Sequence, residues 1–475
     1  MPQPPGLGSD VTALTSLPFP PSPPLEENAY WQAVNKELNA TVKMRMVPSA
    51  DYQNAVATTM AGGDLPDLLY FNAFGITVSN LPQFLRTSYT DLTPYLAGDA
   101  IKDYPNLAAI PSASWVPTIF DGTIFAVPVV RGYFNYVWYI NQSWLESAGA
   151  SPPKNADDFK RLLTEFTHPQ SNQWGIGAGA PAYGLQNGRG DSPQLAMFNV
   201  PNNWSVDASG KFTKDLEMEQ FRAALGYVRD LYAAGVFYPE VVPLNSPILK
   251  TAFMAGKVAV ISTGWISYAQ EFWDQGLKLS PPVKVRTIQP FSFDGGKPTW
   301  HQFSAAIGVT AIKKGTPERT RELLRIMDYL AAPFGSKESL LLEYGIEGTH
   351  FQFDPQGNPI KTDKGRSDLN VMWQYLAVRP PVLFYPLDVD FAGVAYADEQ
   401  AMVPALVRDP SVGLYSPTDA TRGGSLIQQF SDGLLPIITG RAPLSDFDKV
   451  VSDWKSAGGE QVRAEYQQAY AAAKS

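Results

Sequence analysis

Apolar residues alternate between helical and strand spacing along the first part of the chain. Tyr30, Val34 and Leu38 recur four apart, one face of a helix, and Val42, Met44 and Met46 recur two apart, as in a strand. Tyr52, Val56 and Met60 form a second helical stripe, with Asp51 placed to cap it and Gly62-Gly63 to end it in a left-handed backbone. Pro66 forbids more helix, and Leu68 to Phe71 is an uninterrupted apolar run suited to a strand covered on both faces. With a first strand in 11–19, stopped by the cluster Pro18 to Pro24, the order is strand, helix, strand, helix, strand. That alternation predicts an α/β domain with a largely parallel sheet, whose ligands lie beyond the carboxyl ends of its strands, where Phe71 and Asn72 stand.

The same logic recurs later. After an aromatic, Pro-rich stretch and the turn Asp121-Gly122, Thr123 to Val130 reads as a strand, and Arg131-Gly132 marks a crossing to a second domain. Tyr136 to Ile140 reads as a strand. Trp144 to Gly149 is a short helix, Phe159, Leu162, Leu163 and Phe166 are the inner face of another, and 180–210 is a long loop region. Phe221, Leu225, Val228 and Tyr232 form a helical stripe. Ser246 caps a helix through Pro247, Leu249 and Phe253 that stops at Gly256, and Val258 to Ser262 then leads to Gly264-Trp265. Ser304 to Ala311 is the strand by which the chain returns to the first domain, followed by a helix capped by Thr316 with Pro317 in its first turn. Beyond about 350 come a Gly/Asn/Asp turn region and then helices, one with the stripe Phe447, Val451 and Trp454 and a last one over Glu460 to Ala473.

Composition narrows the function. A chain of 475 residues is long for one hydrophobic core, so two domains are expected. The net charge of −9, without a basic run, argues against nucleic acid as a partner. With no cysteine there is no disulfide, thiolate metal site or thiol nucleophile. His168, His301 and His350 lack metal-ligand spacing, and neither a G-x-S-x-G elbow nor a phosphate-binding G-x-x-x-x-G-K-[ST] loop is present. Ile176-Gly177-Ala178-Gly179 fails the dinucleotide template, and Arg189-Gly190-Asp191 is a tripeptide of the kind that arises by chance. Met1 leads into a Pro/Gly-rich stretch to Asp10, expected to be a tether at 1–10 whose upstream export signal has been removed.

Four blocks, in order, carry a family resemblance. They are Ala61-Gly62-Gly63-Asp64-Leu65-Pro66-Asp67-Leu68-Leu69-Tyr70-Phe71-Asn72, then Phe253-Met254-Ala255-Gly256-Lys257-Val258-Ala259-Val260 with Gly264-Trp265, then Tyr344-Gly345-Ile346-Glu347-Gly348-Thr349-His350-Phe351 through Asp354 and Gly357-Asn358-Pro359, and Gly440-Arg441-Ala442-Pro443-Leu444. Together the chain resembles the family 1 extracellular solute-binding proteins of bacterial ABC importers, in the oligosaccharide-binding branch with the maltodextrin and alginate-oligosaccharide receptors. The resemblance implies a type II periplasmic-binding-protein-like fold, two α/β lobes joined by a hinge: an N-terminal lobe of 11–130 and 302–348, and a C-terminal lobe of 131–301 and 349–475. It also implies a monomer that is not an enzyme, uses no cofactor, captures an oligosaccharide in the cleft by hinge closure and delivers it to an ABC transporter permease. The protein would stand outside the cell or in the periplasm, touching the membrane only through a lipid anchor upstream of Met1.

Ligand contacts are then expected from particular residues. By resemblance Trp265 and Phe71 stack on sugar rings, and Asn72 is a bidentate hydroxyl partner. Arg131 and Tyr133 stand at the crossing, where an Arg suits an anionic or strongly hydroxylated ligand, and Tyr183, Trp204 and Trp300 lie in loop-like stretches outside helical stripes. The alginate branch often carries a calcium loop, but here Thr167 to Trp174 holds no carboxylate, so no metal is expected there. Core or surface positions are the plain alternatives for each of these side chains. The rival functions are an extracellular glycoside hydrolase or lyase, using a pair of carboxylates, and a peptide or lipid receptor on the same scaffold.

Overall fold

The computed structural model describes residues 4–72, 81–120, 122–177, 183–185, 192–239, 247–268, 272, 276, 279, 283–386, 388 and 390–474. The chain divides into two compact units. The first holds Met1–Arg131, Ser304–Val382 and Val412–Thr421, and the second holds Gly132–Phe303, Leu383–Ser411 and Arg422–Ser475. In chain order the elements used below are β1 (Asp10–Leu17), α1 (Ala29–Leu38), β2 (Thr41–Pro48), α2 (Tyr52–Gly62), β3 (Leu68–Asn72) and β4 (Ala126–Val130). The second unit follows with β5 (Tyr136–Asn141), β6 (Trp174–Ile176), β7 (Trp204–Val206), β8 (Phe212–Lys214), β9 (Val258–Gly264), β10 (Val285–Thr287) and β11 (Trp300–His301). Next come β12 (Ala306–Ile312), α3 (Pro317–Leu330) and α4 (Asp363–Asp368) in the first unit, then α5 (Asp390–Met402) and β13 (Leu406–Val407) in the second.

The first unit's sheet has the order β2-β1-β3-β12-β4, with β1 parallel to β2 and β3, and β12 antiparallel to β3 and β4. Local chemistry explains the elements. The Asn28 side chain accepts from Trp31 N to open α1, Asn39 ends it in a left-handed turn, and Tyr30, Trp31, Val34 and Leu38 are its buried face. Gly63, at φ 72°, ends α2, whereas the Asp51 side chain makes no capping bond. In β3, Leu68, Leu69, Tyr70 and Phe71 are all buried, Leu68 and Tyr70 toward one face of the sheet and Leu69 and Phe71 toward the other, as an apolar strand covered on both faces requires. Gly308 in β12 is obligatory for close packing, since a Cβ there would lie 2.4 Å from Phe71 O and from the Tyr70 ring.

Two expected boundaries are corrected. Residues 5–9 are a docked strap rather than a tether: Gly6 N donates to Leu38 O and Gly8 N to Asn39 O, while Leu7 N and Ser9 Oγ both donate to Glu322 on α3. These bonds, with the Arg319 guanidinium, hold the Glu322 carboxyl below its usual range against the opposing effect of burial. Residues 349–382 pack in the first unit, not the second. Buried His350 is the reason: its Nδ1 accepts from Ile346 N, its Nε2 lies 3.3 Å from Asp368 Oδ2 on α4, and Asp368 O accepts from Asn28 Nδ2 at the start of α1. Tyr30 OH on α1 donates to Leu342 O, closing the same seam.

The second unit's sheet runs β10-β5-β9-β6, with β9 parallel to β6 and β5 antiparallel to both β9 and β10. A buried polar knot lies beside it. Lys214 Nζ meets Asp215 Oδ1 at 2.8 Å and donates to Asn203 Oδ1, and Asn203 Nδ2 donates to Asp409 Oδ2 at 2.7 Å. Burial pushes both aspartates up, and Lys214 opposes that shift, so the lysine is what makes a buried carboxylate tolerable here. The Ser246 cap and Arg189-Gly190-Asp191 lie outside the described residues.

His301 in β11 is buried, with Nε2 on Val200 O, and burial lowers its pKa from 6.5 to about 4, helped by the nearby Lys214 charge. The folded form therefore binds fewer protons than the unfolded chain between those values. Stability conferred by the neutral ring is complete above pH 6.5 and lost as pH falls toward 4, by roughly 2–4 kcal/mol. Melting followed from pH 7 to 4.5 is expected to decline more steeply in the parent than in His301→Gln; equal slopes would remove His301 as the cause.

Candidate functional site

In the first unit, three strand ends meet along one edge of the sheet. Asn72 closes β3 opposite Gly308, and Val130 closes β4 opposite Ala306, so Asn72 and Arg131 emerge on the same side as the start of β12. The backbone there is held tightly. Ala305, at φ 58°, is a non-glycine residue in the left-handed region, and its carbonyl accepts from Arg131 N at 3.0 Å and from Ser114 Oγ at 3.2 Å. Tyr70 donates its hydroxyl to Ile307 O and stacks on Tyr375, with centroids 4.6 Å apart and planes at 17°. Burial raises the pKa of both phenols, and the Arg131 cation pulls each back down, which places the guanidinium's field on this aromatic pair. Asn72, Arg131 and Tyr375 are each partly exposed. An amide, a cation and a flat aromatic face thus share one strand edge, a set able to hold hydroxyls or a carboxylate against a ring. Tyr375 escaped the sequence reading. The aromatic pair Trp373 and Tyr375 was the available signal, and only the fold shows that Trp373 is fully buried whereas Tyr375, packed against the core, stays partly exposed.

In the second unit the corresponding strand end is Gly264-Trp265 after β9. Trp265 N donates to Asn135 O at 3.1 Å, and Tyr139 OH donates to Trp265 O at 3.1 Å. The indole is 3% exposed and lies between Phe134 and Tyr268, with ring centroids 5.9 and 5.7 Å away. Tyr268 OH donates to Asp398 Oδ2 on α5, and burial raises the Asp398 pKa while Thr287, Tyr268 and Arg286 oppose it. The arrangement ties α5 to the sheet through one partly buried carboxylate.

The other expected contacts fall into two groups. Tyr133 is partly exposed, with its carbonyl accepting from Phe303 N. The remaining aromatics, Phe71 expected as a stacking surface and Tyr183, Trp204 and Trp300 expected as ligand contacts from loop-like stretches, are buried. Phe71 is buried edge-on to Tyr89, Tyr183 is buried against Tyr232 and Phe237, and Trp300 is buried against Trp138. Trp204 is buried among Phe212, Trp454 and Tyr466 with Lys214 Nζ 5.4 Å from its ring centroid. An aromatic with neither face exposed contributes its buried area to packing and has no surface to lay on a sugar. Among the described residues no group of three or more His, Cys, Asp or Glu is arranged for a metal ion.

A family model described as bacterial extracellular solute-binding protein matches residues 22–333. The polygalacturonan/rhamnogalacturonan-binding protein YtcQ of Bacillus subtilis (strain 168) is 23% identical over 456 residues, 93% of this chain and 88% of the relative. Lipoprotein LipO from the same organism is 20% identical over 469 residues, 96% of this chain and 91% of its own. The crystal structure of the N-glycan transport solute binding protein NgtS from Streptococcus pneumoniae superposes with a TM-score of 0.68 at 14% identity, covering 98% of this chain and 99% of that one. The fold is thereby of the type II periplasmic-binding-protein-like class, and the proteins it resembles are binding proteins.

If Trp265 is core, Trp265→Ala lowers the stability of the ligand-free protein by roughly 3–5 kcal/mol. Melting without any sugar checks this. Unchanged melting would return the indole to the ligand surface.

Proposed function

The chain belongs to the bacterial extracellular solute-binding protein family, and from that premise we propose that it captures an oligosaccharide outside the cell and passes it to the permease of an ABC importer. The observation that carries the choice of ligand is the partly exposed set Asn72, Arg131 and Tyr375 on one strand edge. A pyranose presents an apolar C–H face to an aromatic ring and hydroxyls to planar donors and acceptors, and this edge supplies both. Arg131 favours a sugar bearing carboxylates, in keeping with the polygalacturonan and rhamnogalacturonan in the name of one relative. In this proposal the two units close on the ligand, so that binding shifts the population toward the closed form and no bond is made or broken. We further propose that the protein acts as a monomer and is held at the cell surface by a lipid anchor, a reading supported by the lipoprotein among its relatives.

A thermal-shift panel of neutral and uronic-acid oligosaccharides, with product analysis of the same samples, tests the proposal. A ligand at a hundred times its Kd stabilises the folded form by about 2.7 kcal/mol. Stabilisation by intact acidic oligosaccharide is the expected result, and Arg131→Ala should weaken it about ten- to a hundredfold, the equivalent of about 1.5–3 kcal/mol. Cleaved sugar would overturn the receptor reading in favour of a hydrolase or lyase.

A further inference from the structure

Strand β2 is the edge of the first unit's sheet. Thr41 N donates to Ser9 O and Ser49 N to Leu17 O, so the odd-numbered residues of β2 turn their backbone toward β1. The even-numbered residues therefore face away from the sheet. Val42 shows this directly, since its N–H donates to Asn35 Oδ1 and its carbonyl accepts from Trp31 Nε1, both on α1. Farther along, Pro48 has no N–H to offer. Between these two stops the N–H and C=O groups of Met44 and Met46 meet no hydrogen-bond partner among the described residues, a short open ladder beside the buried Met44 side chain.

A groove of about 520 Å³ lies along this ladder. It is lined by Met44, Met46 and Trp31, by the turn carrying Pro21, Pro23 and Pro24, and by two cationic residues, Lys43 and Arg45, against one acidic residue, Glu26. Prolines cannot donate to a strand, and no backbone hydrogen bond joins this turn to Met44 or Met46. Ser22, in the same turn, has a side-chain oxygen shielded from solvent and without a hydrogen-bond partner. The strand is basic between its methionines: Lys43 and Arg45, which also line the groove, are exposed two residues apart. Lys43 reaches Asp10 at 2.6 Å across exposed surface, and among the described residues Arg45 has no ion-pair partner.

We propose that β2 is a docking edge for an extended acidic segment of a partner protein, which adds as a sixth strand against Met44–Met46. The chemistry of the occupant follows from the edge. Backbone groups pair with the open N–H and C=O positions, apolar side chains enter the groove over Met44 and Trp31, and carboxylates on alternate residues meet Lys43 and Arg45. A second copy of this chain is disfavoured, because edge-to-edge pairing of two β2 strands sets lysine and arginine against lysine and arginine. A basic edge of this kind also discourages self-association, so the features that exclude a copy are those that select an acidic strand. This site is independent of the sugar reading and stands in the first unit alone.

The test uses the full chain and a fluorescein-labelled seven-residue peptide alternating valine and glutamate, followed by fluorescence anisotropy at low salt. The lysine-for-glutamate peptide is the charge control. Saturable binding of the acidic peptide, at least tenfold weaker to Arg45→Glu and to Met46→Pro, is the result expected, with melting confirming that both variants fold. N-methylation of the peptide at alternate amides supplies a second, protein-independent check on the ladder and should weaken binding in one register only. No saturable binding, equal binding of the lysine peptide, or binding unchanged in both variants overturns the proposal. So does octanoate displacing the peptide while itself binding to Met46→Pro undiminished, since the groove would then be a small-molecule pocket.

Discussion

The first unit is built around a strand that arrives late. β12 lies between β3 and β4, antiparallel to both, and is contributed by residues 306–312, after the chain has traversed the second unit. Until it is in place, β3 and β4 each leave a row of backbone groups unpaired, and the cores on both faces of the sheet lack Ile312 and Val309. The insertion also explains two local features. Gly308 is required because Phe71 O and the Tyr70 ring approach too closely for any side chain, and Ala305 adopts a left-handed conformation where the chain enters the sheet. Such a non-local closure makes the unit's completion depend on contacts of long sequence separation, a slow step in folding.

The same entry point organises the candidate site. Arg131 N and Ser114 Oγ converge on Ala305 O, and Tyr70 OH bonds Ile307 O, so the strand edge that carries Asn72 and Arg131 is fixed by the bonds that seat β12. Rigid placement of a few polar groups by strand ends is how α/β sheets present ligand sites, since the side chains lose little freedom on binding. In the second unit the polar groups near Gly264-Trp265 serve mainly to hold the fold together. Tyr139 and Asn135 satisfy the backbone of Trp265, and Tyr268 with Asp398 anchors α5.

Local signals made much of the fold legible. Periodicity located β2, α1 and β3, the Thr316 cap and Pro317 located the start of α3, and four ordered blocks pointed to the family that the family model matches. What sequence could not supply was the fate of each aromatic. Trp204 and Trp300 lie in stretches whose composition reads as exposed loop, yet each opens a short strand and is covered by partners distant in sequence: Trp454 and Tyr466 in one case, Trp138 in the other. Periodicity reports only the neighbours on the same helix or strand, so burial by a distant element is invisible to it. The same limit misplaced residues 349–382, whose attachment depends on His350 meeting Asp368 and on Asn28 reaching Asp368 O. The tether expected at 1–10 failed likewise over residues 5–9: the Pro/Gly composition suggests freedom, but Glu322 and the α1–β2 turn supply the partners that the N–H groups need.

Both candidate surfaces of the first unit lie at edges and ends of strands, for a physical reason. Inside a sheet every N–H and C=O is satisfied by a neighbour, so specificity for anything outside can arise only where the ladder stops. The first unit stops its ladder in two ways. At the ends of β3 and β4, where the backbone pairing finishes, it presents the side chains of Asn72 and Arg131, groups whose planar donors and acceptors suit hydroxyls and carboxylates. Along β2 it leaves backbone groups of Met44 and Met46 open and guards them with Lys43 and Arg45, a pattern that suits an acidic strand and repels its own copy. The two surfaces call for different chemistry, one for a ring bearing oxygen atoms and the other for an extended backbone. A single unit can serve both because they use different directions of the same sheet, one along its strands and one across them.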